Sequence, residues 1–459
     1  MIGCLSLARE TFDMKFANNK LVKTKNIIKK LNRNFIFFED LITNDDIGKN
    51  ALKFFEKNKC TKFIVLQSTF TDAKFISSFV KKFKKPILFI SFKERRTGGR
   101  LRLNSLCGVN LALHSLVKNK FYSNFIIYSN NEENLSKELL RFINISHTLP
   151  KKNYLKKTSI SKKTSKKIVS FKKPNLGIIG ERPEGFDTCD FNNKELKSKF
   201  NANITKISLS NLFNLSSKVE KKTIKASKKN ISCDLKNLNQ LNQKEVNKSI
   251  SLFHGLEKIQ KKQNIDSFAI RCWPEMFTEF GCASCGPMAM MNEKKISCAC
   301  EADVLGSLSC NILNQLNDKP SLLVDIVDLD EKDNTTVFWH CGLAPISMAE
   351  KNKPEATVHS NRRKPLLHDF AFKPGDITIF RVSKSENKLK FFLMRGEVLK
   401  RKNSFSGTSG VISLGKKTSH KIKNIFLSGL EHHVSFTYGD VFEEVKALGK
   451  KLNIPTYTI

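Results

Sequence analysis

The sequence predicts an α/β protein, with two doubly wound parallel-sheet domains followed by a smaller, mainly-β, barrel-like C-terminal domain. Three observations predict it. From Ile2 onward short apolar runs alternate with amphipathic stretches in a regular beat. A second series of this kind starts at Asn175. Beyond residue 346 the runs become closely spaced and are divided by turn signals. The boundaries that follow are 1–150 and 174–345 for the α/β domains, 151–173 for a basic linker and 346–459 for the β-rich domain.

In the first domain the runs 2–5, 35–38, 63–66, 87–92 and 125–128 have the length of buried strands. Between them, Phe75, Ile76, Phe79, Val80 and Phe83, then Leu106, Val109, Leu111, Leu113 and Leu116, recur at helical spacing. Thr97-Gly98-Gly99-Arg100 follows a strand and precedes a helix, so its amides with Arg100 or Arg102 suit an anionic or polyhydroxylated ligand. The plainer reading is a glycine-permitted turn with solvated arginines. Arg9 is a weaker case of the same kind. Residues 151–173 are Lys-, Ser- and Thr-rich without periodicity, which predicts an exposed connection, with a polyanion-binding tail as the sharper alternative.

In the second domain Gly180 and Gly185 lack the Lys-Ser/Thr of a phosphate loop, so nucleotide binding has no support. Val246, Ile250, Phe253, Leu256 and Ile259 predict a helix that leads into a strand at 268–272. In the last domain the runs 370–372, 377–382, 389–393 and 411–414, separated by turns such as Lys373-Pro-Gly-Asp376, predict antiparallel strands.

The net charge of +37, from 80 Lys and Arg against 43 Asp and Glu, raises the question of nucleic acid. The lysines are scattered through every segment, and the aromatic residues sit in apolar runs instead of alternating with basic ones, which argues against a nucleic-acid surface. The twelve cysteines are dispersed in apolar context, which predicts free thiols and a cytoplasmic protein. No membrane span or signal peptide is predicted.

Chemistry concentrates in residues 268–345. Glu301 directly follows the apolar run 296–300 and Asp325 the run 321–324, so each acid stands at the end of a predicted buried strand. Between them Val304, Leu305, Leu308, Ile312, Leu313 and Leu316 mark one helix, with Asp303 in its first turn and Asp318-Lys319-Pro320 as its stop. Strand, helix, strand predicts a parallel crossover that puts both acids at one carboxyl edge, where they suit a shared metal ion. His433 offers a third ligand and His340 a fourth. Carboxylates with imidazole favour Mn²⁺ or a related divalent ion such as Mg²⁺ or Co²⁺ over thiolate-seeking metals. His432 and His433 point to opposite faces if they lie in a strand, so one of them reaches the metal. The bland alternative is that Glu301 caps the helix and Asp325 pairs with a lysine. A rival constellation, Cys282, Cys285, Cys298 and Cys300, has spacing that suits structural zinc.

Several motifs occur in one order along most of the chain: LARETFD, QSTFTDAKF (67–75), TGGRLRLNSLCGVNLALH (97–114), GIIGERPEGFD (177–187), RCWPE (271–275), CEADVLG (300–306), LLVD (322–325), FWHCG (338–342) and EHHVSFTYGD (431–440). In these the chain resembles the L-fucose/L-arabinose isomerase-like proteins, which interconvert aldoses and ketoses with a divalent metal, commonly Mn²⁺. The resemblance implies that Glu301 and Asp325 are both metal ligands and the acid/base pair, with His433 the third ligand and His340 a direct or indirect neighbour of the metal. It implies a sugar contact for Trp273, Glu275 and His432. Arg9, Arg100 and Arg102 are then at the sugar or at a subunit contact, in a homo-oligomer, trimer or hexamer, whose subunits complete one another's sites. The implied activity is a metal-dependent aldose–ketose isomerase working by proton transfer between C1 and C2. The alternatives are an isomerase of a modified sugar such as a sulfosugar, with Arg100 or Arg102 reading the anion, or a non-catalytic basic protein that binds sugar or polyanion.

Overall fold

The computed structural model describes residues 1–31, 33–122, 124–128, 132–145, 151–159, 166–350 and 353–459. Residues 146–150 of the first predicted domain and 160–165 of the predicted linker lie outside the described residues.

Strands Ile2–Leu7, Phe35–Ile42, Lys62–Gln67, Ile87–Ser91 and Asn124–Tyr128 form a parallel sheet. Ile2–Leu7 lies between Phe35–Ile42 and Lys62–Gln67, so the strand order reverses there. A crevice opens at the carboxyl ends of strands at such a point. Arg9 leaves the sheet at this edge. Helix Ser105–Lys118 is buried on nearly every side because it packs between helix Lys74–Phe83 of this domain and the later elements Ser321–Asp330 and Thr418–Leu427. Its all-round apolar sequence is what a helix without a wet face requires.

A second parallel sheet runs in the order Ser297–Ala299, Ser267–Ile270, Asn175–Ile179, Asn203–Ile207. Trp273 and Glu301 follow two of its strands at the carboxyl edge. Helix Val304–Asn317 leaves from that edge, and Val304, Leu305, Leu308 and Ile312 pack against Leu176 and Ile178 of the sheet and Phe380 and Val382 beyond it.

Six of the remaining strands close a barrel. Thr408–Ser413, Thr335–His340, Ser321–Asp330, His433–Tyr438, Gly375–Ser383 and Lys390–Val398 pair in that order, and the last pairs back to the first. Here the structure differs from the expected crossover. Ser297–Ala299 is the edge of the parallel sheet, whereas Ser321–Asp330 pairs antiparallel with Thr335–His340 and His433–Tyr438. The reason is local. Asp330 accepts hydrogen bonds from the backbone N–H of Lys332 and Asp333, both at 3.0 Å, and so turns the chain back at once into Thr335–His340. A hairpin with so short a loop closes at less entropic cost than a crossover. Part of the basic linker is also structured, since Lys156–Lys157 pairs with Thr456–Thr458 at the edge of the barrel sheet and Lys151 pairs with Glu386.

Thr335–His340 ends at Gly342, whose φ is +110° and where an added Cβ would meet the backbone oxygen of His368 at 2.5 Å. Only glycine accepts both the angle and the approach. Gly342→Ala is therefore expected to lower unfolding stability by about 2 kcal/mol or more in denaturant titration. An unchanged midpoint would contradict this packing.

Candidate active site

The carboxyl edges of both parallel sheets and one rim of the barrel meet at a cleft lined by Arg9, Trp273, Glu301, Asp325, Trp339, His340, Arg362, His432 and His433, among others. Glu301 and Ala302 both have left-handed backbone, with φ of 59° and 52°. Non-glycine residues enter that region at a cost, and such strain gathers at functional sites. The helix cap that Glu301 might have supplied comes from Asp303, whose carboxylate accepts the Gly306 N–H at 2.8 Å. Glu301 is thus left to the cleft. Its Oε1 accepts the Trp273 indole N–H at 3.3 Å, and its Oε2 lies 3.0 Å from His432 Nε2.

Asp325 and His433 are directly opposite each other in the antiparallel ladder. Cross-strand partners share a face, so the register itself sets the carboxylate beside the imidazole. His433 Nε2 lies 3.5 Å from Asp325 Oδ1 and 4.0 Å from Glu301 Oε2. His433 Nδ1 lies 3.0 Å from Asp303 Oδ2, and Asp303 is held by Arg381 through two bonds of 2.6 and 3.0 Å.

The three carboxyl groups are buried alike but sit in different fields. Burial pushes Asp303 up, but the charge of Arg381 and the bond to His433 overcome it and hold Asp303 well below the usual range. Burial also raises Glu301, and His432, His433 and the Trp273 N–H more than offset it, so Glu301 lies below its ordinary value. Asp325 has less help. Burial drives it up to about 7, with His433 opposing and Glu301 adding to the rise. Asp325 Oδ1 has no hydrogen-bond partner among the described residues.

The structure places several of these residues differently from expectation. His432 and His433 do not face apart, since their ring centroids are 3.8 Å apart and both reach Glu301 Oε2. His432 precedes the regular strand His433–Tyr438, so strand alternation does not apply to it. Glu275 does not line the cleft, because it is engaged by Arg271 at 2.7 Å. Arg100 and Arg102 are exposed and outside this chain's cleft. Arg102 pairs with Asp13 at 2.9 Å, and Arg100 holds Asn361 Oδ1 with bonds of 2.9 and 2.6 Å.

The cysteines also differ from expectation. Cys272 and Cys300 are joined by a disulfide, because the neighbouring strands Ser267–Ile270 and Ser297–Ala299 run out side by side and leave their Cα atoms 5.7 Å apart. Cys300 is therefore not available to a zinc site with Cys282, Cys285 and Cys298, and no group of those four appears among the described residues. Sequence reasoning missed Arg381, although a lone arginine in the apolar run 377–382 was a signal. It also missed Arg362, which sits in a loop with no periodicity to expose it. The Arg362 guanidinium lies 5.7 Å from the centre of the Trp273 ring, and Arg9 lies 5.2 Å from it.

The donors present fit a hard divalent ion. Glu301, His432 and His433 offer atoms within 4.8 Å of one another. Asp325 lies outside that trio but approaches the same His433 Nε2 with an unpartnered oxygen. His433 Nε2, 3.5 Å from Asp325 Oδ1 and 4.0 Å from Glu301 Oε2, would let these three residues hold one ion together. A second trio, Cys189, Asp303 and His433, is less suitable since Asp303 is already committed to Arg381. Oxygen and imidazole donors of this kind select hard or borderline ions.

In metal-free protein the raised Asp325 makes a signed prediction. Its folded value near 7 exceeds the ordinary 3.8, so its contribution to stability is intact below the unfolded value and is lost as pH rises through about 7. After EDTA treatment, Asp325→Asn should gain melting temperature relative to the parent between about pH 4 and pH 7, with a level difference above that. A difference that does not change with pH would contradict the uncompensated burial.

Residues 3–151 match the family model described as fucose/sulfoquinovose isomerase, N-terminal domain, and residues 340–459 match L-fucose isomerase, C-terminal domain. The chain is 30% identical over 452 residues to the sulfoquinovose isomerase of Priestia megaterium, covering 98% of this chain and 97% of the relative. It is 28% identical over 458 residues to that of Alkalicoccus urumqiensis, covering 99% and 98%. To the sulfoquinovose isomerase of Clostridium sp. it is 26% identical over 461 residues, covering 99% and 98%. Motif order, fold and these matches agree, and the chain belongs to the fucose/sulfoquinovose isomerase family as an aldose–ketose isomerase.

Proposed function

We propose that this isomerase acts on an aldose carrying an anionic substituent, with sulfoquinovose, a glucose bearing a sulfonate at C6, as the substrate. The observation that carries this reading is the pair Arg9 and Arg362. Both guanidiniums line the cleft and both lie over the face of Trp273. Arg9 has Asp72 as a partner at 2.7 Å, whereas no carboxylate lies within 4 Å of Arg362 among the described residues. Burial depresses Arg362, and the neighbouring Arg9 charge depresses it further, a cost that a bound anion would relieve. Arg100, expected to read the anion, instead ties down Asn361 beside Arg362, so it supports the loop that presents the charge.

The reaction moves a proton between C1 and C2 of the opened sugar by way of an enediol. Glu301 and Asp325 share that transfer, one on each side of the reacting carbons. A divalent ion, Mn²⁺ in this reading, held by Glu301, Asp325 and His433, supplies polarisation of the carbonyl and hydroxyl oxygens. Trp273 and His432 fix Glu301 through its two oxygens and so hold its direction of attack.

Of the two places expected for His340, direct or indirect neighbour of the metal, this reading takes the indirect one. The Cys341 N–H donates to His340 Nδ1 at 2.8 Å, so the neutral ring carries its proton on Nε2. That nitrogen is a donor to a substrate oxygen, and His340 leaves the ligand set. Cytoplasmic location and a homo-oligomer in which exposed Arg100 and Arg102 lie near a subunit contact belong to the same reading.

EDTA-stripped protein, resupplied with Mn²⁺, is expected to convert sulfoquinovose to its ketose in preference to L-fucose and L- or D-arabinose. Equal turnover of the neutral sugars would overturn the anionic substrate. Arg362→Ala should raise KM for the sulfosugar by about 10-fold or more with kcat far less affected, as expected when an ion pair used in both ground and transition states is removed. Glu301→Gln should lower kcat by about 10²–10⁴-fold with Mn²⁺ still bound, and retained turnover would remove Glu301 from the proton path.

A further inference from the structure

Behind His433 lies a charged pair that touches neither the cleft nor solvent. Arg381, in strand Gly375–Ser383, and Asp303 are both fully buried. Burying an arginine and a carboxylate is costly, and hydrophobic side chains of similar size usually serve stability as well. Their arrangement points to another purpose. Asp303 is fixed by the two Arg381 bonds of 2.6 and 3.0 Å and by the helix-capping bond from Gly306 N–H at 2.8 Å, and its Oδ2 also faces His433 Nδ1 at 3.0 Å. Arg381 is steadied in turn by the Thr188 carbonyl at 3.4 Å and by Glu431, whose Oε2 lies 3.8 Å from its Nε.

We propose that Arg381 and Asp303 form a positioning pair that fixes the tautomer and orientation of His433. Both Asp303 oxygens already accept, Oδ2 from Arg381 and Oδ1 from Arg381 and the Gly306 N–H, so the proton in the contact with His433 lies on His433 Nδ1. The lone pair is then on Nε2, the atom nearest Asp325 and Glu301. This inference rests on the reading of His433 as a metal ligand, for which Nε2 must be unprotonated.

An independent feature of the same motif agrees. A Cβ on Gly306 would stand 2.5 Å from Asp303 Oδ2 and 2.8 Å from Arg381 Nη1. The glycine makes room for this pair at the helix start. Its replacement by alanine keeps every polar group and disturbs only their placement.

The test uses the full chain, labelled with ¹⁵N-histidine and stripped with EDTA, and reads the His433 ring nitrogens by NMR and Mn²⁺ affinity by calorimetry. In the parent, His433 is expected as the Nδ1–H tautomer. Mn²⁺ affinity should fall about 10–100-fold in Asp303→Asn, the usual loss when the partner behind a metal-bound histidine is altered, and in the same direction in Gly306→Ala. If Asp303→Asn does not fold, Gly306→Ala decides. An Nε2–H tautomer in the parent, or Mn²⁺ affinity within twofold of the parent in a folded variant, overturns the pair's role. No Mn²⁺ binding by the parent overturns the metal reading itself, which keeps the two failures distinct.

Discussion

Everything at this site depends on keeping three buried carboxylates, Glu301, Asp303 and Asp325, in one small volume. Desolvation penalises each, and like charges close together penalise them further. Each is compensated from a different part of the fold. Arg381 comes from the barrel to Asp303, His432 and Trp273 come from two different elements to Glu301, and His433 stands among all three. Glu301 and Asp303, on the parallel-sheet side, draw their compensation from His432, His433 and Arg381 of the barrel side. The domain junction and the active site are therefore one construction, and Asp325, with one unpartnered oxygen, is the member whose compensation the protein itself supplies least.

Much of the fold was legible because its elements are strongly patterned. The five strands of the first sheet, the fully buried helix at 105–118 and the helix between Glu301 and Asp325 all follow from apolar spacing. The partner of the strand at Ser321–Asp330 did not follow. A run such as Leu322-Leu323-Val324 is buried on both faces whether it lies in a parallel sheet or in a covered barrel, and periodicity does not distinguish the two. The site nonetheless gathered Glu301, Asp325 and His433, because the barrel register sets Asp325 opposite His433. The three residues thus line one cleft although the strand pairing expected for Asp325 is not the one observed.

What remained hidden in the sequence has a common physical character. Arg362 sits on a loop, where no pattern separates a cleft-facing arginine from a solvated one in a chain with 80 basic residues. Glu275 and Arg102 looked available until their partners, Arg271 and Asp13, were in place. The Cys272–Cys300 bond joins residues 28 apart in sequence, and only the strand order brings them together. Charge pairing of this kind is set by tertiary placement, so the residue type at one position carries little of it.

In the proposed reaction Glu301 and Asp325 move a proton, with the sugar's charge held at Arg9 and Arg362. Isomerisation in ²H₂O, followed by NMR at C1 of the ketose and C2 of the aldose, addresses that transfer most directly. The account predicts solvent deuterium at these carbons in the Mn²⁺-loaded parent and exchange slowed by about 10²–10⁴-fold in Glu301→Gln. Complete turnover with no deuterium at either carbon would indicate a direct hydride shift and would contradict the carboxylate pair as proton carriers.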